Sequence, residues 1–311
     1  MKGDASLFAA IDLGSNAFRL MIGQSVRRNQ QLMIQEVKTL REPVRLAEGF
    51  QGGALDELAL DRGWQALARF GKKLRGFEAG RVRAVATSAV READNARLFL
   101  ASAERHLGFR IDVISGHEEA QLVYAGVAHT IPSAETMRLV VDIGGGSTEL
   151  ILGRGAQPLL TESIAIGSGN VGARYFQDGR ITASALLEAE RVATLQFETV
   201  AQRYRALGWQ QAIGSSGTAR TLAKLLKANG LNNPGQSGIS YSGLLRLSLR
   251  LLEAGHVSQL RLAGLPSHRL STLPGGLVLM LAAFKVFGIA QMTPSEAGLR
   301  LGVLHGLMSG H

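Results

Sequence analysis

The chain has 311 residues, 46% apolar and 19% charged, which excludes a disordered composition and suits two domains of roughly 130 to 180 residues each. With 34 Lys and Arg against 25 Asp and Glu, its formal charge of +9 favours polyanionic partners, and the absence of cysteine excludes thiol catalysis, Cys-ligated zinc and disulfides. The basic residues fall in short groups such as "SVRRN" and "GKKLRG" with little aromatic interleaving, which argues against a dedicated nucleic-acid module.

The opening "MKGDASLFAAIDLG" carries an acid ahead of any apolar stretch and does not read as a secretion signal, so a cytoplasmic chain without membrane attachment is expected. Within "AAIDLGSNAFRLMIG" (9–23) an apolar strand ends at Asp12, a small-residue turn follows, and a second apolar strand resumes. The segment "QQLMIQEVKTLREPVRL" continues as strands, and "LDELALDRGWQALARFGKKLRGF" has helical periodicity. Strand "RVRAVAT" leads into "TSAVREADN", where Arg91 follows a strand end and suits bidentate pairing with a phosphate. Helix "NARLFLASAERHLG", strand "RIDVIS" and helix "HEEAQLVYAGVAHT" come next. At the start of the last helix, Ser115 and Glu118 have the spacing of a capping box, which gives Glu118 a structural duty. Glu119 has no such duty, and it is the candidate general base acting on water.

A second hairpin, "VVDIGGGSTELILG" (140–153), superimposes on the first without a gap: Asp142 falls on Asp12, Gly144 on Gly14, Leu150 on Leu20 and Gly153 on Gly23. This duplication predicts two related α/β domains, each opened by a hairpin. The turns around Ser15 and Asn16, and around Gly144, Gly145, Gly146 and Ser147, offer backbone N–H groups to phosphate oxygens. Asp12 and Asp142 beside them suit Mg²⁺ and the orientation of a water.

Further along, "GSGNVG" (167–172) matches a dinucleotide fingerprint, but Glu188 and Glu190 lie inside a helical pattern where that motif needs an acid ending a second strand. The dinucleotide reading is therefore set aside. After the long helix of "ITASALLEAERVATLQFETVAQRYRALG", the strand-turn-helix "AIGSSGTARTLAKLL" offers Gly214, Ser215, Ser216, Gly217 and Thr218 to an anion, with helix capping by Ser215 or Ser216 as the alternative. The loop "GLNNPGQSGIS" is flexible by composition. The apolar "LPGGLVLMLAAFKVFGIA" (273–290) contains Pro274, paired glycines and Lys285 and reads as a buried helix, not a membrane span. A last helix spans "SEAGLRLGVLHGLM", and the seven histidines show no metal-ligand spacing.

In their order and spacing, "AAIDLGSNAFRLMI", "VRLAEG", "ATSAVREADN", "VISGHEEAQLVY", "VVDIGGGSTELI", "GSSGTARTLAK", "PGG" and "GLRLGVL" resemble the exopolyphosphatase and guanosine pentaphosphate phosphohydrolase (Ppx/GppA) family of the actin-like ATPase and sugar-kinase superfamily. The resemblance runs essentially end to end. It implies an α/β fold of two duplicated actin-like ATPase (ribonuclease H-like) domains around a central cleft, here 1–127 and 128–311, with the C-terminal helix 295–311 packing back on the first. It also implies Glu119 as the base, Asp142 as a second catalytic acid, and Asp12, Asp142 and Glu149 at the metal. Ser15, Asn16, Arg91, the turns at 144–147 and 214–218, and Arg269 would bind substrate. Ser271 and Thr272 stand where members commonly carry an acid, Leu301 stands where Glu is usual, and the chain corresponds to the short two-domain form.

The expected activity is Mg²⁺-dependent hydrolysis of terminal phosphate from inorganic polyphosphate. The alternative is 5′-phosphate removal from guanosine pentaphosphate. A phosphotransferase like the sugar kinases or a nucleotide-gated binding module like actin is a reading of a different class. Mn²⁺ is the substitute metal, K⁺ the monovalent cation to consider, and a homodimer the expected assembly.

Overall fold

The computed structural model describes residues 7–28, 31–131 and 135–310. The chain divides into two compact units, Met1–Thr130 with Ala297–His311, and Ile131–Glu296. The helix Gly116–Ala128, with His129 at its C-cap, closes the first of these stretches.

In the first unit, β1 (Leu7–Leu13), β2 (Ala17–Arg28) and β3 (Gln31–Pro43) form an antiparallel meander. The short pair β4 (Phe50–Gln51) and β5 (Ala54–Leu55) leads to α1 (Glu57–Lys73). Then come β6 (Val82–Ala86), α2 (Ser88–Arg91), α3 (Ala96–Leu107), β7 (Ile111–Val113) and α4 (Gly116–Ala128), giving a sheet in the order β3-β2-β1-β6-β7. Asp56 caps α1 by accepting from the Ala59 N–H at 2.7 Å, and Lys72 and Lys73 sit in its last turn, so both helix ends are electrostatically matched. Strand alternation sends Ile11, Leu13, Phe18 and Leu20 into a core with Phe70 of α1 and Phe99 of α3.

The second unit opens with β8 (Met137–Ile143), β9 (Thr148–Arg154) and β10 (Gln157–Ile164), again an antiparallel meander. It continues through α5 (Ser168–Tyr175), α6 (Ala183–Leu207), β11 (Gln211–Gly214), α7 (Gly217–Ala228), β12 (Ile239–Ser240), α8 (Tyr241–Ala254), α9 (Leu273–Phe287) and β13 (Gln291–Pro294). Its sheet order is β10-β9-β8-β11-β13-β12. The duplication reaches the register: Asp12 pairs with Arg19 and Asp142 with Glu149, at the same place in each hairpin. It also reaches an irregularity, since the pairing of β2 with β3 skips Val37 next to Gly23, and that of β9 with β10 skips Leu159 next to Gly153. A bulge on the outermost strand of each meander bends the edge away from further pairing.

Every residue of α9 except Lys285 is buried, as its composition predicts, and among the described residues no helix is long and apolar enough to cross a membrane. The paired glycines at its start have a packing cause. A Cβ on Gly275 would lie 2.5 Å from the Ser168 carbonyl oxygen, and one on Gly276 would lie 2.6 Å from the Thr218 methyl.

The chain returns to the first unit as α10 (Leu299–Ser309), whose Val303 and Leu304 meet Ala10, Met21, Val85 and Ile114 on the sheet face opposite α1 and α3. It also packs on α4 at glycines. A Cβ on Gly126 would collide with the Gly298 carbonyl, and one on Gly302 with the Leu122 carbonyl.

Three local expectations change. Strand β3 stops at Pro43, and Leu46–Gly49 is a 3-10 turn, because Arg45 takes a left-handed conformation (φ 48°, ψ 49°) that no strand admits. Arg91 ends a one-turn helix and does not follow directly on a strand. The loop at 230–240 is pinned: Asn232 donates to the Gly238 carbonyl (3.1 Å) and accepts from Ser240 (2.8 Å), and Arg246 reaches Leu231 O (2.7 Å) and Asn233 Oδ1 (2.6 Å).

Candidate active site

The first unit gathers Ser15, Asn16, Asp12, Arg91 and Glu119 around the C-terminal ends of β1 and β6. Parallel pairing of β1 with β6 sets Leu13 beside Ala86, so the turn after β1 lies next to α2. The Ser15 and Ser88 hydroxyls are bonded there at 3.1 Å. From α2, Arg91 donates to the Ile114 carbonyl (3.0 Å) and to Glu119 Oε2 (3.2 Å). Glu119 is 8% exposed. It is therefore not the unengaged carboxylate expected from its sequence, since a guanidinium holds it at the start of α4.

Glu118 also departs from expectation. Ser115 does cap α4 by accepting from the Glu118 N–H (3.1 Å), but the Glu118 carboxylate pairs with Arg83 (2.6 Å) and does not close a capping box. Arg83, on the neighbouring strand β6, offers a charged partner stronger than the N-cap amide.

The second unit builds a more complete structure around Gly144–Ser147. The Gly144 N–H donates to Ser147 O (2.9 Å), closing the hairpin. All three glycine carbonyls are engaged from behind by the start of α5. Gly144 O accepts from the Ser168 N–H and hydroxyl (both 2.9 Å), Gly145 O from the Gly169 N–H (2.8 Å), and Gly146 O from the Asn170 amide (2.9 Å). The Asn170 side chain in turn accepts from the Gly167 N–H (2.8 Å). Among the described residues, no acceptor takes the N–H groups of Gly145, Gly146 and Ser147. With its carbonyls held back and its amides open, this turn has the polarity of an anion cradle. The segment "GSGNVG" is thus the brace of that cradle, and Gly167 must be glycine because a Cβ would lie 2.5 Å from the Gly145 backbone.

Around the cradle, Asp142 accepts from the Ser215 hydroxyl, and Glu149, 2% exposed, accepts from the Ser163 hydroxyl (2.8 Å). The Ser216 hydroxyl caps α7 through the Ala219 N–H (3.1 Å), and Thr218 donates to Ile143 O (2.9 Å). Gly214 is enclosed, since a Cβ there would meet Ala219 at 2.6 Å and Met292 at 2.8 Å, and Gly217 begins α7. Arg269 ends a 3-10 turn five residues ahead of Pro274.

Asp12 lies in the first unit and Asp142 and Glu149 in the second. Among the described residues, no group of three or more acidic or histidine side chains is arranged to hold a metal ion. Asp142 and Glu149 are directly opposed across antiparallel strands, an arrangement of like charges that a cation relieves. Two oxygen-donor side chains match what Mg²⁺ takes when substrate phosphates and waters complete its shell.

A model of the Ppx/GppA phosphatase family matches residues 25–311. The chain belongs to that family. Its fold is accordingly the α/β actin-like fold of the family, and the protein is a phosphoric anhydride hydrolase. It is similar to the crystal structure of an exopolyphosphatase from Cytophaga hutchinsonii, with 25% identity over 98% of each chain and a TM-score of 0.86. It is also similar to a PPX-GPPA enzyme of Aquifex aeolicus, with 27% identity over 96% of this chain and 98% of that one and a TM-score of 0.75.

Sequence reasoning passed over two features of this Ppx/GppA chain. Arg19 occupies the place in the first hairpin that Glu149 holds in the second, opposite Asp12 as Glu149 is opposite Asp142. The gapless alignment of the hairpins carried that signal, as a charge reversal at one matched position. Ser168 and Asn170 support the cradle from 24 residues away, and nothing in their local pattern announces it.

Proposed function

We propose that this family member removes the terminal phosphoryl group of inorganic polyphosphate with Mg²⁺. The observation that carries this reading is the open amide edge of Gly145–Ser147, whose opposite edge is fully bonded to α5. Such a cradle suits the oxygens of a phosphoryl group and needs no base or sugar contact. The charge of +9 favours a long polyanion over a single nucleotide. The similarity to an exopolyphosphatase agrees with that choice of substrate.

In this reading the cradle amides and Arg269 are the phosphate-binding groups of the second unit, and Arg91, which commits Nη1 to Ile114 O and Glu119, is that of the first. Glu119 accepts a proton from water, the water oxygen bonds to the terminal phosphorus, and the bridging P–O bond breaks with its electron pair leaving on the shortened chain. Asp142 and Glu149 would hold Mg²⁺, which would supply positive charge to offset the negative charge of the phosphoryl oxygens. The Ser215 hydroxyl orients Asp142, and the Ser163 hydroxyl orients Glu149.

The test is phosphate release by one preparation from tripolyphosphate, long polyphosphate and guanosine pentaphosphate, with Mg²⁺, with Mn²⁺ and with EDTA. Higher kcat/KM on long polyphosphate and loss with EDTA are expected. Preference for guanosine pentaphosphate would transfer the assignment to 5′-phosphohydrolysis. Turnover that requires ADP or a sugar acceptor would make the protein a phosphotransferase.

A further inference from the structure

Arg41 is anomalous. Its Nε is buried and has no hydrogen-bond partner among the described residues, although a guanidinium normally satisfies its donors when enclosed. Partial burial, then the positive charges of Arg19 and Arg45, hold its pKa below the ordinary arginine value, so two like charges lie close to a half-buried cation. Strand register explains the grouping. Arg41 on β3 is directly opposite Arg19 on β2, which is directly opposite Asp12 on β1, and opposed residues share one face of the sheet.

Arg45 joins this row through a deliberate bend. It is one of two non-glycine residues with positive φ among the described residues, and its N–H donates to the Asn16 carbonyl (3.0 Å). Arg62 fixes the bend by donating to the carbonyls of Val44 (2.8 Å) and Arg45 (3.2 Å). The strained residue is therefore tied to the turn that follows Asp12. Its ion pair with Glu48 is long, at 3.7 Å, and both side chains are more than half exposed, so it does little to neutralise the group.

A half-buried guanidinium whose enclosed Nε has no partner among the described residues, a strained arginine anchored to the turn after Asp12, and a third arginine in register call for an anion with several oxygens. Two strand spacings put Arg41 roughly 10 Å from Asp12 along the sheet, which is beyond the reach of one phosphoryl group and within reach of the next units of a chain. We propose that Arg41 and Arg45 form a second anion subsite that takes an internal phosphate of a phosphoanhydride chain. This deepens the polyphosphate reading and rests on it for the identity of the chain.

The test is calorimetric binding of inorganic orthophosphate and inorganic tripolyphosphate, without divalent metal, to the full chain and to Arg41→Met and Arg45→Gly. Glycine at 45 removes the cation while relieving the left-handed backbone, so that variant folds even where Arg41→Met does not. The expected result is a tripolyphosphate dissociation constant raised at least tenfold in each variant, with orthophosphate binding changed less than threefold. Unchanged tripolyphosphate affinity in Arg45→Gly, or equal weakening of both ligands, would overturn the subsite. If the unaltered chain binds tripolyphosphate tightly but releases no phosphate with Mg²⁺, the hydrolytic reading fails, while the binding comparison still decides the subsite.

Discussion

Arg91 Nη1 donates to Glu119 Oε2 at 3.2 Å, which joins a phosphate-binding candidate to the candidate base within one unit. The same guanidinium nitrogen also serves the Ile114 carbonyl at 3.0 Å, so the position of Arg91 is fixed by backbone as well as by charge. Glu118, its neighbour in sequence, faces Arg83 at 2.6 Å. Two adjacent acids are thereby committed to two different arginines.

That difference separates their substitutions. Glu119→Gln is expected to fold normally and lose roughly 10²- to 10⁴-fold in kcat, the range for a general base. Glu118→Gln breaks a half-exposed ion pair and should cost at most about 1 kcal/mol while keeping turnover. Melting temperature and kcat measured side by side check both; an inactive Glu118→Gln would move the base assignment.

Asn170→Ala removes the amide that engages Gly146 O and receives the Gly167 N–H. Each lost hydrogen bond should cost about 0.5 to 1.5 kcal/mol in stability. The larger effect is expected on KM and kcat together, because the cradle amides lose their orientation. Steady-state kinetics on tripolyphosphate would show it, and wild-type kinetics with a lower melting temperature would reduce Asn170 to a structural role.

Helix α10 meets α4 without room for a methyl group at Gly126 or Gly302. Gly126→Ala and Gly302→Ala should each destabilise by about 1 to 3 kcal/mol or more, since backbone must move to admit the Cβ. Gly80→Ala is the control, with nothing within 4 Å of the added atom, and should stay within about 0.5 kcal/mol. Denaturant midpoints for the three variants give the comparison.

The rings of His129 and His305 stack at 3.5 Å between centroids, and burial, then the charge of His129, pushes His305 down to about 4. An unfolded histidine titrates near 6.5, so between pH 6.5 and 4 the unfolded chain binds the extra proton. The contribution is present in full above pH 6.5 and is lost as pH falls towards 4. Melting curves across that window should fall more steeply for the wild type than for His305→Phe, and parallel curves would remove this pair from the pH response.

The two-hairpin duplication, the alternation of strands and helices, the buried character of α9 and the family resemblance were all legible in the amino-acid pattern. Each of these is written in local periodicity or in glycine spacing, which act over a few residues and do not depend on distant packing. The acids at Asp12 and Asp142 were legible because each ends a strand at its own small-residue turn, whereas Glu149 came only from the family resemblance. The pattern does not carry relationships between segments that sheet register and helix packing bring together. These are Arg91 on Glu119, Arg83 on Glu118, Ser168 and Asn170 behind the glycine cradle, and the row from Arg41 through Arg19 to Asp12. A side chain's charge is a property of its residue type, but its partner is chosen by strands and helices that lie 20 to 35 positions away. No local pattern carries that choice.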